Sequence, residues 1–75
     1  MNNDEILRVQ TYLQQKFGNT AITVKRGAKD DMAEVLLGEE FIATLNRDDE
    51  EGEVSYALNM AILEFDLDGK DMEEF

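Results

Sequence analysis

The chain predicts an α+β fold: an N-terminal helix packed on one face of a three- to four-stranded antiparallel meander sheet, followed by an acidic, flexible C-terminal tail. Three observations carry that prediction. Apolar residues up to Phe17 recur at the helical period, whereas those from Ala21 onward recur at the period of a strand. The turns between the strand-like runs are too short for a crossover, so sequence neighbours must run antiparallel. A length of 75 residues accommodates one domain with one thin core, drawn here as residues 1–68 with a tail at 69–75.

The helix is expected over residues 3–17. Ile6, Val9, Leu13 and Phe17 fall on one stripe. Asn2 followed three residues later by Glu5 fits a capping box, and Gly18-Asn19 supplies the left-handed conformations that end a helix. Residues 21–26 alternate apolar and polar and are β-branched, as a half-exposed strand requires. Residues 32–37 and 41–46 read as a hairpin around Gly38-Glu39-Glu40. A three-residue loop places Val35 and Leu37 on one face with Phe41, Ala43 and Leu45, leaving Leu36 and Ile42 on the other. A two-residue loop pairs Leu36 with Phe41 instead. The first is preferred because it gathers more apolar area on one face.

An acidic turn, Arg47 to Gly52, precedes the cleanest alternation in the chain: Val54, Tyr56, Leu58, Met60 and Ile62. Parity then changes at Leu63, Phe65 and Leu67, by a bulge or because the strand ends near Ile62 and a short helix or loop follows. The two longest apolar stripes, on the helix and on this last strand, are expected to pack on each other. Met72 and Phe75 offer too little apolar area to offset the entropy of ordering residues 69–75.

Charge is concentrated at one end. Residues 1–47 hold seven acidic side chains against six basic, and residues 48–75 hold eleven against Lys70, so the net charges of −1 and −10 make up the total of −11. Such a field repels nucleic acid and anionic lipid and attracts cations or a basic partner. The absence of Cys and His removes thiolate zinc sites, Cys–His and Ser–His nucleophile pairs, and histidine switching. No apolar stretch approaches the ~20 residues of a membrane span, and the first residues do not resemble a signal peptide. The expected address is cytoplasmic, with no cofactor, no metal, no nucleic acid and no membrane contact.

Two stretches carry a resemblance. One is Glu5-Ile-Leu-Arg-Val-Gln-Thr-Tyr-Leu with Phe17-Gly-Asn. The other runs from Gly38-Glu-Glu-Phe-Ile-Ala-Thr-Leu through Asp48-Asp-Glu-Glu-Gly-Glu-Val-Ser-Tyr to Met60-Ala-Ile-Leu-Glu-Phe-Asp-Leu-Asp68. Together, over most of residues 4–68, they resemble a family of small alphaproteobacterial proteins of unknown function. The resemblance implies a compact cytosolic bacterial domain and brings no catalytic residue with it.

Candidate sites have plainer readings beside them. Glu64-x-Asp66-x-Asp68-Gly69 matches the start of an EF-hand loop, but its position 12 is Phe75 and its position 8 is Asp71. Asp48, Asp49, Glu50 and Glu51 run consecutively and so cannot converge as that loop's ligands do; they read as a solvated turn or as contacts for a basic partner. Lys25, Arg26 and Lys29 lack interleaved aromatics and make a poor nucleic-acid patch. Ser55, the only serine, has no histidine base. Tyr12 and Tyr56 read as core-rim residues. Leu36 and Ile42, with the small outward residues of the last strand, make the outward sheet face less polar than a solvated face. Asn59 reads as a site residue or, more simply, as an outward-facing residue of that strand. These three and Asp48 to Glu51 are the candidate partner-binding residues.

The sequence therefore points to a non-enzymatic protein-interaction or regulatory module acting through its sheet face or an edge, toward an unnamed protein partner or a second copy in a homodimer. The alternative is an acidic phosphate mimic that binds a basic, nucleic-acid-binding protein. A carboxylate-only metal-dependent enzyme or a calcium-binding module ranks last. Eleven carboxylates within 28 residues repel one another more in the folded chain than in the unfolded one. Moderate salt, and mild acid near about pH 5, should then raise the melting temperature. A melting temperature unchanged between low and moderate salt would remove self-repulsion from the account.

Overall fold

A computed structural model describes residues 1–50, 52–64 and 67 of the chain. Helix α1 spans Asn3–Phe17. Its start is fixed by a reciprocal pair: the Asn2 side chain accepts the Glu5 amide at 2.7 Å, and the Glu5 carboxylate accepts the Asn2 amide at 3.1 Å. Two amides that a helix leaves orphaned are thereby satisfied. Gly18 ends the helix at φ 61°, where a side chain would be strained, and the Asn19 amide donates back to the Gln14 carbonyl at 3.0 Å.

Four strands follow: β1 (Ile22–Arg26), β2 (Met32–Leu37), β3 (Glu40–Asp48) and β4 (Ser55–Asn59). They form one antiparallel meander in the order β1-β2-β3-β4. The last strand ends at Asn59, and beyond it Glu64 and Leu67 are helical, with the Leu67 amide donating to the Leu63 carbonyl at 3.3 Å. The change of parity after Ile62 thus follows the end of a strand and does not mark a bulge within it. The expected tail at 69–75, the EF-hand-like positions Asp66 and Asp68, and Glu51 of the acidic turn lie outside the described residues.

The β2–β3 hairpin corrects the preferred register. Its turn is the two residues Gly38-Glu39, with Leu37 paired to Glu40 and Leu36 to Phe41. Gly38 has φ 63°, which a two-residue hairpin favours at its first central position. The register then slips between Leu36 and Val35, so that Val35 pairs with Ala43 and Ala33 with Leu45. Ile42 is the extra residue of this bulge. The tight turn and the inward placement of Val35, Ala43 and Leu45 are reconciled by that single insertion. Ile42 is therefore not on the outward face with Leu36: it packs against the core, while Phe41 is exposed.

The core also differs from expectation. Ile6 and Leu13 of α1 join Ile22 and Val24 of β1, Ala33 and Val35 of β2, and Ala43 and Leu45 of β3 in one buried cluster. No residue of β4 is buried; Tyr56 packs against the cluster from its edge, and Leu58 is 39% exposed. Phe17, expected inward, is 58% exposed. The cause is geometric. Only Gly18 to Ala21 separate α1 from β1, so the helix must fold back over β1. A helix ~10 Å wide covers about two strands spaced at ~4.8 Å, and the far strand of four stays bare.

Seated over β1, the helix also closes that edge of the sheet. Gln10 Oε1 accepts the Val24 amide at 2.9 Å, and Gln14 Nε2 donates to the Ile22 carbonyl at 2.9 Å. These are backbone groups that an edge strand leaves open to another chain. Because Leu13 is buried and Leu58 is not, Leu13→Ala should cost about 2–4 kcal/mol and Leu58→Ala about 1 kcal/mol or less. Urea unfolding of the two variants checks the order; equal losses would restore β4 to the core.

Candidate functional site

The uncovered side of the sheet, along β4, forms a groove. One wall is the flank of α1, with Val9, Tyr12, Leu13 and Phe17; the floor is Leu45 of β3 with Tyr56 and Leu58 of β4. The groove has a volume of about 510 Å³ and lies open along its length. A second hollow of about 220 Å³ shares Leu13, Phe17 and Leu58 and adds Leu37, Ile42 and Met60. Together they make one continuous apolar trough beside β4. Arg8 and Lys16, one turn either side of Tyr12, stand on its helical rim. Arg8 has an exposed neighbour in Asp4 at 4.0 Å, a pairing of little energetic consequence.

One polar cluster sets the width of the trough. Glu5 Oε2 accepts from Arg47 Nε at 2.6 Å and from the Tyr56 hydroxyl at 2.8 Å, tying the first turn of α1 to β3 and β4. Arg47 also donates to Asp49 at 3.0 Å. The Tyr56 hydroxyl and the Asn2 amide hold the Glu5 carboxyl down at about 2, against its ordinary 4.5, with Arg47 adding to the effect and burial opposing it. In return the Glu5 carboxylate raises Tyr56 above 10 and Arg47 above its usual value.

The two edges of the sheet are unlike. The β1 edge carries the glutamine bonds and two charged residues, Lys25 and Arg26. Among the described residues no side chain bonds to the outward backbone of β4, whose sequence Ser-Tyr-Ala-Leu-Asn is uncharged. Val54, Met60 and Ile62 around it are exposed.

The candidate residues from the sequence are dispersed by this arrangement. Leu36 lies on the outward face of β2 opposite Thr23 and Phe41. Asn59, exposed, ends β4 opposite Thr44, two strands from Leu36. Ile42 sits in the bulge and lines the trough. Asp48 accepts the Glu50 amide at 3.0 Å, and Asp49 is bonded to Arg47, so both shape the turn that enters β4. Arg26 is drawn to the start of α1, donating to the Met1 carbonyl and to Asn3 Oδ1 at 2.8 Å each, which leaves no basic triad with Lys25 and Lys29. Among the described residues no three acidic side chains converge on a cation. Among the described residues no helix is long and apolar enough to cross a membrane.

The residues that build the trough carried partial signals. Tyr12 and Phe17 were visible as apolar, but their outward position follows from where the helix lands. Glu5 was legible as a cap, while its second role depends on partners 42 and 51 residues away.

Protonation of Glu5 removes the charge that strengthens the bonds it accepts from Arg47 and Tyr56. Because its pKa is about 2 in the fold against about 4.5 when free, its contribution is complete above pH 4.5 and is lost as pH falls toward 2. Glu5→Gln is expected to melt lower than the wild type at pH 7, and the gap should narrow between pH 4.5 and 2. A gap independent of pH would mean that the carboxylate charge is not what holds α1 to β4.

Residues 5–66 match the family model DUF3126, whose description is a protein of unknown function. No curated protein and no solved structure matches the chain. The chain belongs to the DUF3126 family.

Proposed function

We propose that this DUF3126 protein is a cytoplasmic, non-enzymatic interaction module whose contact surface is the trough between α1 and β4 together with the open β4 edge. The observation that supports this reading is the asymmetry of the sheet. One edge is closed by Gln10 and Gln14, and among the described residues no side chain bonds to the other, which lies beside the apolar trough. Contiguous exposed apolar surface is costly in a soluble chain and marks binding sites. Aromatic side chains such as Tyr12, Phe17 and Tyr56 are the residue types that anchor protein contacts. The occupant that fits is an apolar protein segment, lying along the trough with a carboxylate within reach of Arg8 or Lys16.

Apolar contact and charge mimicry differ in their salt response. A partner held in the trough stays bound as ionic strength rises, whereas a basic partner held by Asp48, Asp49 and Glu50 is released. Immobilised wild type and Tyr12→Ser are compared for proteins captured from the source cell, with stepwise salt elution. Tyr12 is 58% exposed, so its loss should leave melting unchanged while capture falls about tenfold. Capture indifferent to Tyr12→Ser and abolished by moderate salt would overturn the trough reading in favour of the acidic one.

A further inference from the structure

We propose that β4 pairs with β4 of a second copy of this chain, antiparallel and centred on Ala57, to make a two-fold dimer with one continuous eight-stranded sheet. This rests on the reading that the β4 side is the contact surface, and it names one occupant of the edge.

The direction of the backbone bonds decides which register is available. Arg47 donates its amide to the Asp31 carbonyl at 2.8 Å. Odd-numbered residues of β3 therefore bond toward β2, and Thr44, Asn46 and Asp48 bond toward β4. Their partners are Asn59, Ala57 and Ser55. The backbone groups that face outward from β4 are thus those of Tyr56 and Leu58.

A two-fold axis through Ala57 sets Tyr56 opposite Leu58 of the other copy, and Leu58 opposite Tyr56. These are the outward-bonding residues, so both pairs exchange backbone hydrogen bonds. The chain around this centre is a chemical palindrome: Val54 meets Met60, Ser55 meets Asn59, Tyr56 meets Leu58, and Ala57 meets itself. Apolar residues meet apolar ones on the helix-bearing face, and small neutral ones meet on the other. Self-complementarity of this kind is what an isologous contact requires. The same register places the acidic turns of the two copies at opposite ends of the paired strands, with Glu53 opposite Ala61. The two troughs then adjoin across the new sheet.

Ala57 is exposed and faces away from the trough, which makes it the position to test. The wild type should sediment at twice 8.6 kDa, and Ala57→Asp and Ala57→Lys, each placing like charges across the axis, at 8.6 kDa. Both variants should still unfold cooperatively, with a melting temperature that no longer rises with concentration. Mixing the two variants should restore the dimer. The chain has no cysteine. Ala57→Cys should therefore cross-link on oxidation, because facing residues without mutual backbone bonds lie ~4.5 Å apart, while Ser55→Cys should not. Since each copy carries −11, added salt should tighten the association. A monomeric wild type, a dimer that survives Ala57→Asp, or an association that weakens with salt would overturn the proposal. None of these outcomes bears on Tyr12, so the capture assay tests the trough reading separately.

Discussion

The position of the helix over the sheet depends on one carboxylate. Apolar burial fixes α1 to β1, because Ile6 and Leu13 meet Ile22 and Val24 and the connection between them is four residues long. No residue of β4 enters the buried cluster, and the apolar flank of α1 faces β4 only across the trough. Among the described residues, the polar link from α1 to β3 and β4 is Glu5, whose Oε2 receives both Arg47 and Tyr56 while Oε1 caps the helix. The same side chain therefore starts the helix and sets its angle across the strands. Shared duty of this kind makes each bond more costly to lose, since an acceptor removed leaves the Tyr56 phenol without its partner and the Arg47 guanidinium with Asp49 alone.

From that constraint the division of the sheet follows. A single helix cannot cover four strands, so the fold must choose which edge to protect, and the short connection chooses β1. Gln10 and Gln14 then supply bonds to Val24 and Ile22 that a partner strand would otherwise supply. Helical glutamines at i and i+4 reach the same strand edge because they lie on one face of the helix. What the fold protects on one side it leaves available on the other, where Tyr12 and Phe17 of the helix flank stand exposed.

Local chemistry was fully legible in the sequence. The Asn2–Glu5 box, the left-handed Gly18 and the bounds of α1 and β2 all rest on neighbours in the chain, and each stands where the pattern puts it. The meander order was legible for the same reason, since short turns leave no other topology. The bulge at Ile42 was not, because the turn and the body of the hairpin each obeyed a sound rule and the two rules conflicted by one residue. The packing of α1 against β4 failed differently. The longest apolar stripes attract one another on paper, but connection length decides which strand the helix meets first. The Glu5–Arg47–Tyr56 cluster joins residues with no local relation, so no periodicity could announce it. Gln10 and Gln14 read as ordinary solvent-facing helix residues until the edge beneath them is known.

The concentration of charge takes on a structural meaning beside the open edge. An uncharged strand with free backbone groups is a template for any other strand, and proteins usually blunt such edges with charge or proline within the strand. Here the five residues of β4 carry none, and Asp48, Asp49, Glu50 and Glu53 stand just before it. Those carboxylates discriminate between ways of pairing two copies. Parallel alignment stacks the acidic turn of one copy on that of the other. Antiparallel alignment about Ala57 keeps the turns at opposite ends of the contact. Like charges placed side by side are unfavourable across a strand pair, and a shift of register by one residue would also turn the apolar face outward. In a pair of copies joined at β4 the acidic turn would thus disfavour the parallel alignment, and the palindrome would favour the antiparallel one about Ala57.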